Sequence, residues 1–554
     1  MSGHFNLRAA LLINTLGCGL EVLACAGFTY IPPLLRKSGH SETTMALTMG
    51  LGPLLGFLFV PYIGEASDNL KSRYGRRKPF ILFLSIGAAA SFIIMPYILT
   101  LLSGSSEVSP KGFDDEKELF SIISKGGGTE NSVAIFVTIT CLVVLFDFCS
   151  QVALTPFEAL LADMGKPLGT TGSDKLYQVY SFMIGVGGVI GYLITSLDWK
   201  KRANFLSFFG AVTQEERVFF VVFILFVMSL FFALRYSKDG LQAGRRVKLD
   251  TKNDALIIQK GEAKGIPTFI SRGVYYLCPT GLLRLLQLPK CFTRLCVFQF
   301  FAWTSLMSYN LFFTDFVGEA VFDGDPTLEA GPLKNELYDE GVNVGSMGLL
   351  AHCVTCSAFP LLHRTLLRDW SVKLVLVSTL LASTVAALCM VLWPSPVTMV
   401  IMSLFPGFLM GALLSIPFHL LTKYHDREEV FMWDSVHPRG VGTDVAILDS
   451  MYFLAEFSLS VFDSVFVFLV GSTYAYMYAT IVFGFVAFGL AFNVVFDESS
   501  LPSSTLQHIK AESLLDGVSL SAGGTSVQKL VSGKHNGSNI VVANGNTDGH
   551  SDIV

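Results

Sequence analysis

Apolar residues in this 554-residue chain are gathered into twelve blocks, each near the ~20 residues an α-helix needs to cross a bilayer. They run over about 9–34, 45–63, 79–103, 132–153, 177–197, 217–236, 295–317, 343–362, 373–393, 398–421, 445–470 and 473–495. Within a block the apolar residues do not form a stripe with a polar reverse side, so there is no face to turn to water. In hydrocarbon a backbone must satisfy its own polar groups, and a single segment can do so only as a helix. The chain is therefore expected to be an all-α, multi-pass membrane protein with twelve transmembrane helices. Composition agrees: 15% of residues are charged, against about 25% in soluble domains, and the mean hydropathy is +0.55. No basic face with interleaved aromatics suggests nucleic acid, so the expected partners are the lipid bilayer and a small-molecule substrate. The first block is too long for a signal-peptide core and reads as a retained span.

The longest internal connection, 237–294, divides the spans six plus six. This predicts an N-terminal bundle over 1–236, a cytosolic central loop over 237–294, a C-terminal bundle over 295–496 and a disordered cytosolic tail over 497–554. Within the central loop, 274–290 is apolar with basic flanks, as in an interfacial helix. The tail is rich in Ser, Gly and Asn; its last residues, Ser551–Val554, are compatible with a PDZ groove. Ten cysteines fall within spans or at the cytosolic face, so a disulfide framework is not expected. Cys353-Val-Thr-Cys356 has redox spacing but lies inside a span, where packing cysteine is the expected reading.

Orientation comes from the loop after the second span. Lys71, Arg73, Arg76, Arg77 and Lys78 place five cations in eight residues, which the positive-inside rule assigns to the cytosol. With an even number of spans both termini are then cytosolic, and Asn536 in Asn536-Gly-Ser carries no glycan. A basic loop alone says no more than that. Its wording says more: Gly64-x-x-x-Asp68 followed by Arg73-Tyr-Gly75-Arg76-Arg77-Lys-Pro-Phe resembles the loop between the second and third helices of major facilitator transporters. The insert and the closing Arg-Arg-x-Pro-Phe resemble the branch that holds plant sucrose–proton symporters and solute carrier family 45. The fourth span and its exit, Asp147-Phe-Cys-Ser-Gln151 through Pro156-Phe-Glu158-Ala-Leu-Leu-Ala-Asp163, are similar to that family's signature. The resemblance implies a six-plus-six major facilitator arrangement. It implies a cytosolic gate built from Gly64, Asp68, Arg73, Gly75, Arg76 and Arg77, with Glu158 and Asp163 facing the arginines.

Acids at bilayer depth mark where chemistry is expected, because an ionised side chain there costs about 2.5–3.5 kcal/mol even on lenient scales. Glu21 lies near the middle of span 1, Asp147 in span 4, Asp315 toward the outer end of span 7, and Asp449, Glu456 and Asp463 in span 11. The seven-residue spacing of the last three puts them on one helix face over about 21 Å. Either that face lines the pathway, or Asp449 and Asp463 lie at the interfaces and only Glu456 is deep. No span holds a central Lys or Arg, and burial without a cation favours the protonated carboxyl. Such a group can load a proton on one side and release it on the other. The acids alone leave proton and sodium coupling open, and the resemblance favours the proton, with Asp147 as coupling residue. No cofactor or metal is expected beyond the coupling ion, and no nucleophile–base pair or phosphate loop points to an enzyme.

Phe146, Gln151, Trp303, Tyr309, Asn310 and Tyr452 supply the aromatic faces and amides that a sugar requires. The leading expectation is a proton-coupled sugar symporter for a sucrose-like sugar, glucose or fructose, in the plasma membrane or an endomembrane vesicle. An organic cation or polyamine attracted to the acids, or a non-transporting receptor on the same fold, are the alternatives. The Gly185-Val-Gly187-Gly188-Val-Ile-Gly191 run of span 5 stands where an arginine partner would be natural and predicts close helix packing.

Overall fold

The computed structural model describes residues 6–97, 129–197, 214–237, 288–324, 332–365, 370–433, 440–470, 473–498 and Leu501, apart from positions 39, 41, 71 and 73. The interfacial helix expected in the central loop, the tail, Asn536 and the C-terminal motif lie outside these residues. The described residues of the body before the tail are helical almost throughout. In order the helices are α1 (Leu7–Lys37), α2 (Glu42–Asn69), α3 (Lys78–Ile94), α4 (Thr129–Val152), α5 (Leu154–Gly165), α6 (Gly169–Ser196), α7 (Gln214–Tyr236) and α8 (Lys290–Phe316). They continue with α9 (Pro332–Thr365), α10 (Val372–Leu392), α11 (Pro396–Met402), α12 (Leu404–Leu413), α13 (Ile416–Asp426), α14 (Glu428–Phe431), α15 (Val441–Val470) and α16 (Tyr474–Ala491).

Eleven stretches are long and apolar enough to span a membrane. The twelfth expected span, the seventh in order, is α8. It has 27 residues, about 40 Å of helix, but is diluted by Gln299, Thr304, Ser305, Ser308 and Asn310. The first four of these are buried. Ser305 and Ser308 donate to the Thr480 and Tyr476 carbonyls of α16, so α8 hides its polar groups inside the protein rather than showing them to lipid. On the outer surface large apolar side chains stand exposed, Phe83 by 76% and Val482 by 58%, as a lipid-facing wall requires.

Prolines set the breaks. A proline at position i cannot bond the carbonyl of i−4. Pro156, Pro406 and Pro417 orphan Val152, Met402 and Leu413, the last residues of α4, α12's predecessor α11, and α12. The tenth span is thereby three short helices. Span 4 was expected to end at 153, but its path continues through α5, and this relocates Glu158, as described below.

Small residues set the packing. α2 runs antiparallel to α15: a Cβ on Gly56 would meet the Phe453 ring at 2.5 Å and one on Gly50 would meet Ser460 at 3.0 Å. One on Gly64 would strike Ala446 and the Gly442 carbonyl. The glycines of α6 behave as predicted: Gly187 and Gly191 lie on Cys18 and Cys25 of α1, Gly185 and Gly188 on Ser357 and Cys353 of α9. The nine described cysteines are free, those of the Cys353–Cys356 pair buried in the packing.

Candidate functional site

Two polar constellations join the first six spans to the last six. The first lies at the basic-loop end. Gly75 turns the chain with φ 111°, a conformation side chains disfavour, and Pro79 starts α3 directly after. The turn carries Arg77 inward until its guanidinium is fully buried. There Arg77 donates to Asp68 Oδ1 at 2.5 Å, to Asp163 Oδ2 at 3.1 Å and to the Ser67 hydroxyl. Arg76 donates to the other oxygen of Asp163 at 2.6 Å. Two cations and two anions therefore neutralise one another, the condition for keeping charge away from water.

Asp68 also reaches the far half of the chain. It accepts from the backbone N–H of Gly442 at 3.2 Å and of Thr443 at 2.8 Å, and from the Thr443 hydroxyl at 2.8 Å. These amides belong to the first turn of α15, whose donors have no partner within the helix and whose dipole favours an anion. The neighbouring glycines make room: a Cβ on Gly440 would strike the Asp68 carboxylate, and one on Gly442 the Arg77 guanidinium. Lys78 ties the same end to α7, donating to the Leu234 and Ser237 carbonyls at 3.1 and 2.8 Å, where a helix C-terminus favours a cation.

Of the predicted gate residues, the structure brings Gly64, Asp68, Gly75, Arg76, Arg77 and Asp163 together, and Arg73 lies outside the described residues. Asp68 pairs with Arg77, while Arg76 serves Asp163. Glu158 is a correction. It does not face the arginines, because α5 continues as helix beyond Pro156 and turns it into the interior. There it is 3% exposed and accepts from the Tyr180 hydroxyl at 2.6 Å. The partners Gly440, Gly442 and Thr443 carry no charge and were missed by sequence reasoning; a Gly-x-Gly-Thr run opening an apolar span was the only signal.

The second constellation is at bilayer depth. Asp147 of α4 accepts from Gln151 Nε2 at 2.5 Å, and the same nitrogen lies 3.5 Å from Glu456 Oε1 of α15. Gln151 therefore bridges two carboxyl groups contributed by the two halves. The Asp147 carboxyl rests against Gly52, where any side chain would overlap it. Tyr452, one turn from Glu456 along α15, meets the Trp303 ring edge-on at 5.0 Å. Two turns from Glu456 along α15, Asp449 approaches Glu158. The face of α15 thus looks into the protein at both Asp449 and Glu456, as the seven-residue spacing predicts; the Asp463 side chain lies outside the described set.

Glu21 is half-buried on α1 against Gly187, among Cys18, Cys25, Cys353 and Cys356, with no hydrogen bond or ion pair among the described residues. Asp315 is elsewhere: it accepts from the Tyr338 hydroxyl at 2.7 Å, joining α8 to α9 beside the wide turn Val317–Val321. Among the aromatic candidates, Tyr452 lies one turn from Glu456 and Trp303 packs on its ring. Phe146 instead packs on Phe92, centroids 5.3 Å apart, within a stack that continues to Phe219. His352 is buried with Nε2 at 3.0 Å from Met410 Sδ. No group of three or more metal-binding side chains occurs among the described residues.

This arrangement defines a class: a bundle of membrane-spanning helices with a charge-neutral clasp at one end and carboxyl groups at mid-depth, joined across its halves. The fold matches that of the human organic anion transporter MFSD10, with a TM-score of 0.55 at 15% identity, covering 87% of this chain and 99% of that one. The fold is that of the major facilitator superfamily. The family model described as "MFS_1 like family" matches residues 24–427. Human solute carrier family 45 member 3 is 30% identical over 559 residues, covering 89% of this chain and 96% of its own. A shorter match, 31% identical over 38% of this chain and 25% of the relative, is to the mouse protein named Proton-associated sugar transporter A. The chain belongs to solute carrier family 45.

Proposed function

We propose that the protein is a proton-coupled symporter of a sugar, with Asp147 as the residue that loads and releases the proton. The observation that carries this reading is the Asp147–Gln151–Glu456 bridge. It sets two carboxyl groups from opposite halves on one amide at bilayer depth, and no lysine or arginine of the described residues pairs with either. A carboxyl group so placed is neutral when protonated and carries a charge otherwise, so its occupancy and the packing of α4 on α15 depend on one another. Trp303 and Tyr452 supply an apolar platform and a hydroxyl beside it, the two surfaces a sugar ring presents needs for. The name of the mouse relative supports both cargo and ion. The clasp of Asp68, Arg76, Arg77 and Asp163 serves as the cytosolic gate, closed here and opened when α15 leaves Asp68. On this reading both termini are cytosolic, and the membrane is the plasma membrane or that of a vesicle.

Glu21 favours a second reading, because an acid with no partner among the described residues would attract an organic cation or polyamine. One experiment separates the two. Purified protein in proteoliposomes is given labelled sucrose, glucose or spermidine, with and without an inward proton gradient. Gradient-dependent accumulation of a sugar is expected; accumulation of spermidine alone would replace the sugar reading with the cation one.

A further inference from the structure

A second pair of carboxyl groups has no part in the bridge. Glu158 of α5 and Asp449 of α15 lie within hydrogen-bonding reach of each other, about 10 Å along α15 from Glu456 toward the clasp. Glu158 is 3% exposed, Thr155 1%, and Tyr180 is fully buried. One Glu158 oxygen accepts from the Tyr180 hydroxyl at 2.6 Å, and the Glu158 backbone carbonyl accepts from Tyr177 at 3.3 Å. The remaining oxygens, Glu158 Oε2 and Asp449 Oδ2, are buried with no donor among the described residues. The titratable groups around the pair are Tyr177 and Tyr180 of α6, with Asp163 of α5 acting on Tyr177 and Glu21 of α1 on Tyr180. No lysine, arginine or histidine is among those acting on either carboxyl.

Carboxylates are acceptors only, so where two of them meet with no cation, and with the Tyr180 and Thr155 hydroxyls as the donors at hand, a proton on one, donated to the other, satisfies the lone pairs that face each other. We propose that Glu158 and Asp449 form a second proton site, a carboxyl pair that holds one shared proton while α5 and α15 are packed and releases it as they part. The proton leaves one oxygen for solvent on the clasp side; no other bond changes. Two adjacent anions then remain and repel, which drives α15 away from α5 and loosens the neighbouring turn that Asp68 caps. The pair is therefore a latch on the clasp-side interface, closed by protonation. This deepens the proton-coupled reading and rests on it for the direction of release.

The test uses the full-length protein in lipid nanodiscs without substrate or gradient. Spin labels attached by non-cysteine chemistry at the exposed positions Tyr74 and Trp370 report the clasp-side opening as pH is raised. For one linked proton the open-to-closed ratio of the wild type rises about tenfold per pH unit within the titration window. Glu158→Gln and Asp449→Asn each place an amide N–H where the shared proton was, so each keeps the closed distance, changing less than about twofold over the same range. Asp147→Asn still opens as pH rises, with its midpoint free to shift, because Glu158 and Asp449 are intact; this separates the latch from the coupling site, since transport can fail while the distance still follows pH. A wild-type response in both pair variants, or no response in the wild type, overturns the proposal. Infrared titration of a Glu21→Gln, Asp147→Asn, Glu456→Gln protein, which keeps the Glu158–Asp449 pair but removes the other interior acids near α15, decides the case if the pair variants do not fold. A protonated-carboxyl band that disappears over the same pH range supports the pair, and its absence overturns it.

Discussion

At the scale of single residues, the clasp depends on which acid meets which arginine. Asp68 and Arg77 are in direct contact, whereas among the described residues Asp68 and Arg76 are linked through Asp163 and Arg77. Breaking a buried, hydrogen-bonded ion pair leaves a charge uncompensated and costs about 3–5 kcal/mol. Asp68→Asn and Arg77→Gln should therefore each impair transport about tenfold or more with protein still in the membrane. In a double-mutant cycle the two should couple by about 0.5–3 kcal/mol, while Asp68 with Arg76 should couple less. Additive losses for Asp68 and Arg77 would show that the contact does not govern gating. His40, between α1 and α2, offers a pH test outside the spans. It is buried, stacks on Phe136 at 3.9 Å and bonds Ser38, the Leu35 carbonyl and Thr140 at 2.8–3.1 Å. Burial holds its imidazole below the ordinary histidine range. The folded state then binds fewer protons than the unfolded one, so stability is full above about pH 6.5 and falls as pH drops below that value. Thermal unfolding in detergent between pH 7.5 and 5 should show this loss, and His40→Gln should reduce it.

At the scale of helices, the twelve apolar runs were legible because hydrocarbon imposes one answer on such a segment. Their ends were less so. Span 4 was expected to end at 153 and the resemblance put Glu158 beside the arginines; the path instead continues through α5, which sets Glu158 beside Tyr180. The partner of Asp68 was not legible at all: backbone amides carry no side-chain signature, and Thr443 is 375 residues away. The three acids of α15 were readable from spacing, since a helix repeats nearly every seven residues; that Asp449 meets Glu158 required the fold. The glycines of α2 can be tested as an element. Gly64→Leu cannot fit against Ala446 and the Gly442 carbonyl, so it should hold α2 and α15 apart at the clasp and raise labelling of the basic-loop end in membranes of opened cells. Gly489→Ala, with nothing within 4 Å of the added methyl, should leave transport unchanged and stabilise α16 by about 0.5–1 kcal/mol. Equal labelling of the Gly64→Leu and Gly489→Ala proteins would contradict the zipper.

At the scale of the whole molecule, α15 is the member on which both constellations converge. Its first turn is capped by Asp68, its Asp449 meets Glu158, and its Glu456 shares Gln151 with Asp147. A helix so connected cannot move at one end without altering the acids along its length, which is the physical basis on which the proposed proton site at mid-depth would act on the proposed gate at the end. The central claim is that Asp147 carries that proton. Asp147→Asn preserves shape and the contact with Gly52 but removes the titratable group. The most direct measurement is proton uptake into proteoliposomes on adding substrate, followed with a pH dye inside the vesicles alongside substrate counterflow. The account predicts that the Asp147→Asn protein still exchanges substrate but no longer acidifies the lumen; acidification at the wild-type rate would contradict it.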